Sequence, residues 1–156
     1  MLKNLLLVLF LLIGSYVHSQ NEVKEIEVRN TIETFFEGFH KADTAIINKT
    51  IHKDLKIQTS FINAKGESIL KTNLKEDFLK SIVTKNSTDI WLEKLRTITI
   101  KIDQDMASVW TPYEFYFNNK FSHCGVNSFQ LFNNNGNWEI IYLIDTRRKQ
   151  GCEFKE

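Results

Sequence analysis

The sequence predicts an α+β domain in which a curved antiparallel sheet of about five to six strands wraps around three helices. The main observation is that residues 107–148 contain three runs rich in aromatic and β-branched residues, separated by turns rich in Asn and Gly. This pattern predicts an antiparallel meander. A second observation is that three stretches before residue 91 place apolar residues at the three- and four-residue spacing of amphipathic helices. Helices grouped outside a run of strands pack on one face of the sheet.

Length and charge limit the function classes. The chain has 156 residues, which suits one domain with one core. Its 20 basic residues nearly balance its 19 acidic ones, and the two signs are interspersed. Because no basic stripe is present to neutralise phosphates, the sequence excludes nucleic acid as a partner.

The N-terminus has the layout of a secretory signal peptide. A basic start at Lys3 precedes the apolar run Leu5–Ile13, and Val17-His18-Ser19 forms a site for cleavage after Ser19. The alternative, a membrane anchor, would need about 20 apolar residues. We therefore expect residues 1–19 to be removed, leaving a secreted or periplasmic domain of residues 20–156 that is not inserted in the membrane.

The predicted elements follow in order. An amphipathic helix over Asn21–Phe39 is expected to bury one apolar face, and Asp43 or Thr44 can cap a short second helix. A half-buried strand over Leu55–Phe61 leads through a turn to a return strand around Ser68–Lys71. The apolar face of the first helix comprises Val23, Ile26, Ile32, Phe35, Phe36 and Phe39.

The second half begins with a third helix. Asn73 and Glu76 have the spacing of a capping box. A strand over Trp91–Ile102 then leads into the meander strands Ala107–Phe117, Phe121–Phe132 and Trp138–Arg148. Trp110, Phe129 and Leu131 alternate in antiphase with Tyr113, Phe115 and Phe117, so both faces of the meander are expected to carry apolar residues. Since the helices cover one face, we expect a homodimer through the other.

The two cysteines, Cys124 and Cys152, would both remain in the mature chain. An oxidising compartment permits a disulfide between them, provided that the tail folds back to bring Cys152 to Cys124. The alternatives are a small buried apolar side chain at Cys124 or, less favoured, a nucleophile. Two cysteines do not supply the ligand set of a zinc site, so no metal is expected.

The order of elements resembles the nuclear transport factor 2-like superfamily, also called SnoaL-like or cystatin-like. The segment Phe35–Asp43 is similar to the first helix of that group and its exit, and Ile51–Asp54 resembles the tripeptide that opens its first strand. Residues 121–126 and 144–149 look like a secreted bacterial subgroup labelled putative lumazine-binding. The resemblance implies a cone-shaped pocket for a small ligand between the curved sheet and the helices. The superfamily hosts enzymes and scaffolds alike, so the fold does not decide the function.

Strand register decides which polar residues meet. A turn at Asn118-Asn119 sets Glu114 opposite His123. A three-residue second loop then sets His123 opposite Arg147 and Gly125 opposite Asp145. A two-residue loop would instead set Cys124 opposite Arg147.

Three functions remain open. In the first, the pocket binds a small molecule. Its lining would include Trp110, Tyr113, Glu114 and Tyr116, and His123, Asp145 and Arg147 would close it. In the second, a cofactor-independent isomerase, dehydratase or hydrolase uses His123 as acid/base, Asp145 to orient it and Arg147 to hold an anionic group. In the third, the domain is a non-catalytic, structural or partner-binding scaffold whose pocket is filled by its own side chains. Asp145 and Arg147 would then belong to a solvated salt-bridge network.

Overall fold

The computed structural model describes the backbone of residues 2–152 and the side chains of residues 21–152. These residues form three helices and seven strands. The helices are α1 (Leu2–Lys41), α2 (Thr44–Asn48) and α3 (Lys75–Val83). The strands are β1 (Ile51–Ile62), β2 (Ser68–Asn73), β3 (Trp91–Leu95), β4 (Thr99–Asp103), β5 (Met106–Phe117), β6 (Lys120–Asn134) and β7 (Asn137–Arg147).

The strands form one sheet in the order β2-β1-β7-β6-β5-β3, and β4 also pairs with β5. All pairs are antiparallel except β1 with β7, which are parallel. The buried side chains of the sheet pack with those of α1, α2 and α3 in one core. The predicted α+β class with three helices and a mostly antiparallel sheet is confirmed. The parallel pair, which joins the first and last strands, was not predicted.

The single strand that the sequence predicts over Trp91–Ile102 is wrong. The structure has two strands there, β3 and β4, and each pairs with its own part of β5. Between them, the backbone N–H of Arg96 still donates to the carbonyl of Pro112. The sheet edge is therefore interrupted after Leu95, although the chain stays next to β5.

The buried face of α1 is partly different from the predicted one. Ile32, Phe35 and Phe36 are buried as expected, but Val23 is 52% exposed and Ile26 58% exposed. The reason is helical phase. At about 100° per residue, Ile26 lies about 200° from the fully buried Val28, on the other side of the helix.

The starts of α2 and α3 differ in their capping. Asp43 caps α2, since its Oδ1 accepts from the N–H groups of Ala45 and Ile46 at 2.9 and 3.2 Å. The predicted capping box at Asn73 is wrong, because Asn73 is the last residue of β2 and pairs with Ile57. Leu74 takes the cap position of α3 without a side-chain hydrogen bond.

The predicted signal peptide, residues 1–19, lies outside the residues whose side chains the structure describes. The backbone of α1 is helical from Leu2, so Asn21 is not a helix boundary. Where side chains are described, no helix has the length and apolar character needed to cross a membrane.

Candidate functional site

The turn between β5 and β6 has the predicted form, but the register after it does not. Asn118 and Asn119 both have positive φ (51° and 61°), and Phe117 pairs with Lys120. A bulge then shifts the pairing between Phe115 and Tyr116. Glu114 therefore lies opposite Cys124, and the predicted pair of Glu114 with His123 is wrong.

The turn between β6 and β7 has two residues, since Asn134 pairs with Asn137. A second bulge lies farther from this turn. Leu131 pairs with Ile140 but Gln130 pairs with Tyr142, so Ile141 of β7 has no partner in the register. As a result Asp145 lies opposite Asn127 and not opposite Gly125. Cys124 pairs with Arg148 in an isolated bridge. The three-residue loop is wrong and the two-residue loop is correct, but the register that the two-residue loop predicts holds only from the turn to Leu131. Beyond it the bulge moves the partner of Cys124 from Arg147 to Arg148.

The registers divide the predicted site residues between the two faces of the sheet. Tyr113, His123, Asp145 and Arg147 line a cavity between the sheet and the helices, which we call the cone cavity. The other three predicted residues lie on the opposite, outer face.

On the outer face, Trp110 is 54% exposed. Glu114 accepts a hydrogen bond from Arg96 at 2.8 Å and one from the hydroxyl of Tyr116 at 3.1 Å. The structure therefore does not bring Trp110, Glu114 or Tyr116 to the cavity.

The cone cavity has a volume of about 470 Å³. Part of its lining is aromatic, and the rings contact one another: Phe39 lies 5.7 Å from Trp91 and 6.4 Å from Phe115, measured between ring centroids. Most of the remaining lining is polar. The aromatic residues lining the cavity, apart from Tyr113, are Phe35, Phe36, Phe39, Phe78, Trp91, Phe115 and Phe117, and the main polar ones are Thr59, Glu93, Tyr113, His123, Asn127, Asp145 and Arg147.

Asp145 is the centre of a hydrogen-bond network in the polar lining. It is buried, and its carboxylate accepts from Thr59 Oγ1 at 2.7 Å, Arg147 Nε at 2.7 Å and the Tyr113 hydroxyl at 3.3 Å. Burial, and then the negative charge of Asp145, raises the pKa of Tyr113. Asp145 thus holds Tyr113 and Arg147 in place, whereas the sequence predicts that it orients His123.

A glycine lets Tyr113 reach this network. Tyr113 lies directly opposite Gly125, and a Cβ on Gly125 would come within 2.9 Å of the tyrosine ring and 1.7 Å of the carbonyl oxygen of Thr146. Without that Cβ the ring crosses β6, and the one hydroxyl proton is shared between the Thr146 carbonyl at 3.0 Å and Asp145 at 3.3 Å. Only glycine, which has no Cβ, allows neighbouring groups to come so close to the backbone.

His123 faces the cavity as a neutral imidazole. Its ring lies 5.0 Å from that of Phe115, and its Nδ1 is 3.1 Å from Ser122 Oγ. Burial, followed by the positive charge of Arg147, lowers the pKa of His123 from 6.5 to about 4. At neutral pH the ring is therefore uncharged and has one donor and one acceptor nitrogen.

Sequence reasoning missed Glu93 and Asn127. Asn127 Nδ2 donates to Glu93 Oε1 at 2.6 Å, and the backbone N–H of Glu93 donates to His40 Nε2 at 3.0 Å. Burial raises the pKa of Glu93 from 4.5 to about 8, against the lowering effect of the Asn127 hydrogen bond. The available signal was alternation, because Glu93 shares a strand face with the apolar Trp91 and Leu95.

The two cysteines form a disulfide, with 5.7 Å between their Cα atoms. Cys124 is completely buried, and the bond ties the chain after β7 to the sheet. Cys124 is therefore not available as a nucleophile in this form of the protein. Within the described part of the chain, no group of three or more His, Cys, Asp or Glu side chains is placed to hold a metal ion.

Comparison with known proteins identifies the fold and the family. The family described as putative lumazine-binding matches residues 23–142. None of the curated proteins with which the chain was compared matches it. Among solved structures, a nuclear transport factor 2-like protein of unknown function from Shewanella baltica is 14% identical with a TM-score of 0.61, covering 81% of this chain and 95% of its own.

Two further structures agree. A nuclear transport factor 2-like protein from Cytophaga hutchinsonii is 14% identical, with a TM-score of 0.61 and coverage of 78% of this chain and 95% of its own. A protein of unknown function with a cystatin-like fold from Nostoc punctiforme is 15% identical, with a TM-score of 0.62 and coverage of 82% and 93%. At these identities the likeness shows the fold alone. Since the family match spans well over half of the sequence, the chain belongs to the putative lumazine-binding family, and its fold is nuclear transport factor 2-like.

Proposed function

We propose that this protein binds a small planar ring compound in the cone cavity. The observation that supports this most is the cavity itself: about 470 Å³, lined by both aromatic rings and hydrogen-bonding groups. Small-molecule sites are typically concave and mostly apolar, with a few polar groups that fix the orientation of the ligand.

The aromatic lining supports a flat ligand. Trp91, Phe115 and Phe39 form a connected set of rings, and such rings gain most from a second π-system in stacked or edge-to-face contact. A stacked pair contributes about 0.5–1.5 kcal/mol beyond the burial of its area.

The polar lining supports a ligand with carbonyl groups and ring nitrogens. With its pKa raised to about 8, Glu93 is a neutral acid at pH 7. Asn127 occupies its Oε1, so the acid O–H can donate to a ligand carbonyl. Neutral His123 adds one donor and one acceptor. The family description suggests lumazine, a planar bicycle with carbonyl and N–H groups, as the first compound to test.

The test uses two tryptophans as a matched pair. Trp91 lines the cone cavity, whereas Trp110 lies exposed on the outer face. In isothermal titration with lumazine and related bicycles, Trp91→Leu should weaken binding about three- to tenfold, the loss of one stacking contact. Trp110→Leu should leave the affinity within about twofold. Equal loss in both variants, or no binding by any planar compound, would contradict the proposal.

A second candidate function is acid/base catalysis in the same cavity. What favours it is that Glu93 and His123 have pKa values of about 8 and about 4, so a protonated acid and an unprotonated base are both present at neutral pH. An isomerisation of a cyclic ketone would need one group to take a carbon-bound proton and another to donate to the oxygen.

Deuterium exchange tests this second candidate. If the cavity catalyses enolisation, the α-protons of a cyclic ketone should exchange with D₂O in NMR spectra, and Glu93→Gln and His123→Gln should each slow the exchange at least tenfold. Tight ring binding with no exchange above the buffer rate would leave the binding function and remove the catalytic one.

We infer in addition that the protein works outside the cytoplasm. The apolar run near the N-terminus and the disulfide between Cys124 and Cys152 both support this, because disulfides persist in oxidising compartments. Mass spectrometry of the protein purified from its own cells should show a chain that begins at Gln20. An intact N-terminus would contradict the predicted signal peptide.

A further inference from the structure

We propose that the ligand carries an anionic group, such as a carboxylate, sulfonate or phosphate, which lies in a basic vestibule while its ring lies in the cone cavity. This inference rests on the proposed ring-binding function and adds the chemical class of the ligand.

The vestibule is a second, wider cavity of about 1490 Å³. It lies between the β1–β2 hairpin, α3 and the end of β7. It shares lining residues with the cone cavity, among them Thr59, Asn73, His123 and Arg147. The two cavities therefore adjoin at these residues, and the proposed ligand places its ring in one and its side arm in the other.

Charge differs between the two parts. The vestibule is lined by four cationic residues, Lys71, Arg147, Arg148 and Lys149, and by one acidic residue, Asp77. The cone cavity contains the two acids Glu93 and Asp145, and its one cationic residue, Arg147, is the one that it shares with the vestibule. Positive charge is thus concentrated at the outer end of the space.

Strand register places Lys71 on the side that faces the site. Lys71 of β2 lies opposite Thr59 of β1, which in turn lies opposite Asp145 of β7. These three residues share the inner face of the sheet, so Lys71 lies in the row of the Asp145 network, two strands outward. Its ammonium group is a mobile point charge that can follow an anionic arm.

Arg147 connects the two parts. Its Nε donates to Asp145 at 2.7 Å, and its side chain is 52% exposed. The bond to Asp145 fixes the plane of the guanidinium group. Its terminal nitrogens can then donate to an anion in the vestibule as a preorganised fork.

The charges also set the orientation of the ligand. An anion placed inside the cone cavity would lie near the carboxylate of Asp145, where low dielectric strengthens repulsion. A neutral ring avoids this repulsion and hydrogen-bonds to Glu93 and His123. The arrangement therefore favours the ring inside and the anion outside.

Two fluorescent probes share one ring system and differ only in an anionic group. N-phenyl-1-naphthylamine is uncharged, and 8-anilinonaphthalene-1-sulfonate is the same ring system with a sulfonate. We expect the full chain to bind the sulfonate about tenfold more tightly, the effect of one charge-assisted hydrogen bond. The preference should decrease as salt is raised.

The test variant is Lys71→Gln/Lys149→Gln, and the control is Lys56→Gln/Lys101→Gln, which removes the same charge at two exposed positions outside both cavities. The preference for the sulfonate is the dissociation constant of the uncharged probe divided by that of the sulfonate. This ratio should decrease about threefold or more in the test variant and stay within about twofold of the native value in the control.

The outcomes separate the two proposals. If the uncharged probe binds but the sulfonate has no advantage, or if both double variants lower the ratio equally, the anionic subsite is wrong and the ring-binding function stands. If neither probe binds although lumazine or a related bicycle does, the anionic subsite is wrong and the ring-binding function stands. If no ring compound binds at all, the ring-binding function is wrong and the subsite is lost with it.

Discussion

Glu93 has a charge state that is coupled to the stability of the fold, because burial raises its pKa. Its folded-state pKa of about 8 lies above the ordinary value of 4.5, so the folded chain keeps a proton that the unfolded chain has lost. Glu93 therefore destabilises the fold progressively as pH rises from about 4.5 to about 8. His123 acts in the opposite direction, because its folded-state pKa of about 4 lies below 6.5. Its effect destabilises the fold as pH falls from 6.5 to about 4.

The two effects oppose each other between pH 4.5 and 6.5, so the window that isolates Glu93 is pH 6.5 to 8. In that window we expect the free energy of unfolding to fall with pH, and Glu93→Gln to reduce the fall, because an amide does not titrate. Urea denaturation at several pH values measures this. Glu76→Gln, an exposed residue of α3, is the control and should retain the slope. A Glu93→Gln profile parallel to that of the native chain would contradict the raised pKa.

Among the elements, β6 determines how much of the site the sequence could predict. The turns at both ends of β6 were recognisable, because Asn118-Asn119 and the Asn-Gly pair before β7 are residues that accept positive φ. The bulges were not, since an extra residue on one strand has no signature comparable to Asn-Gly. Each bulge shifts the register by one residue. The bulge between β5 and β6 is enough to place His123 on the inner face of the sheet and Glu114 on the outer face.

The residues placed in the cavity show the same limit. Tyr113, His123, Asp145 and Arg147 were chosen for their chemistry and reach the cone cavity, but their partners differ from the predicted ones. Glu93 was recognisable from alternation within its own strand. Its bond to Asn127 was not, because β3 and β6 are separated in the sheet by β5. Contacts between strands that are not neighbours depend on curvature, which local pattern does not report.

The disulfide gives a prediction at the scale of elements. Cys124 and Cys152 are 28 residues apart, and closing a loop of that length in the unfolded chain corresponds to about 3–4 kcal/mol of stability by chain entropy. We expect a reducing agent to lower the free energy of unfolding by that amount. Cys152→Ala should make stability independent of the reducing agent. A native chain as stable when reduced as when oxidised would contradict the role assigned to the bond.

For the whole molecule, we propose that the outer face of the sheet pairs with a second copy of the chain. Met106, Trp110 and Phe132 share this face and are all exposed, forming an apolar surface around β5. We expect light scattering after size exclusion to show a dimer, and Trp110→Asp to give a monomer.

The control for the dimer is Val23→Asp, which adds the same charge at an exposed apolar position on α1. It should remain dimeric. A native chain that is monomeric at micromolar concentration would contradict the proposed interface, and so would a Trp110→Asp variant that stays dimeric.

The parallel pairing of β1 with β7 has a consequence for when the protein can fold. In the sheet, β1 lies between β2 and β7. Until β7 (residues 137–147) has been synthesised, β1 has β2 as its one partner. Thr59 and Asp145 then bond across 86 positions of the chain, a long loop to close before the contact stabilises anything. On a ribosome, the polar lining of the cavity is therefore completed only after β7 has emerged. A chain released earlier would leave the β1–β2 hairpin unattached, with its inner edge open to pairing with other chains.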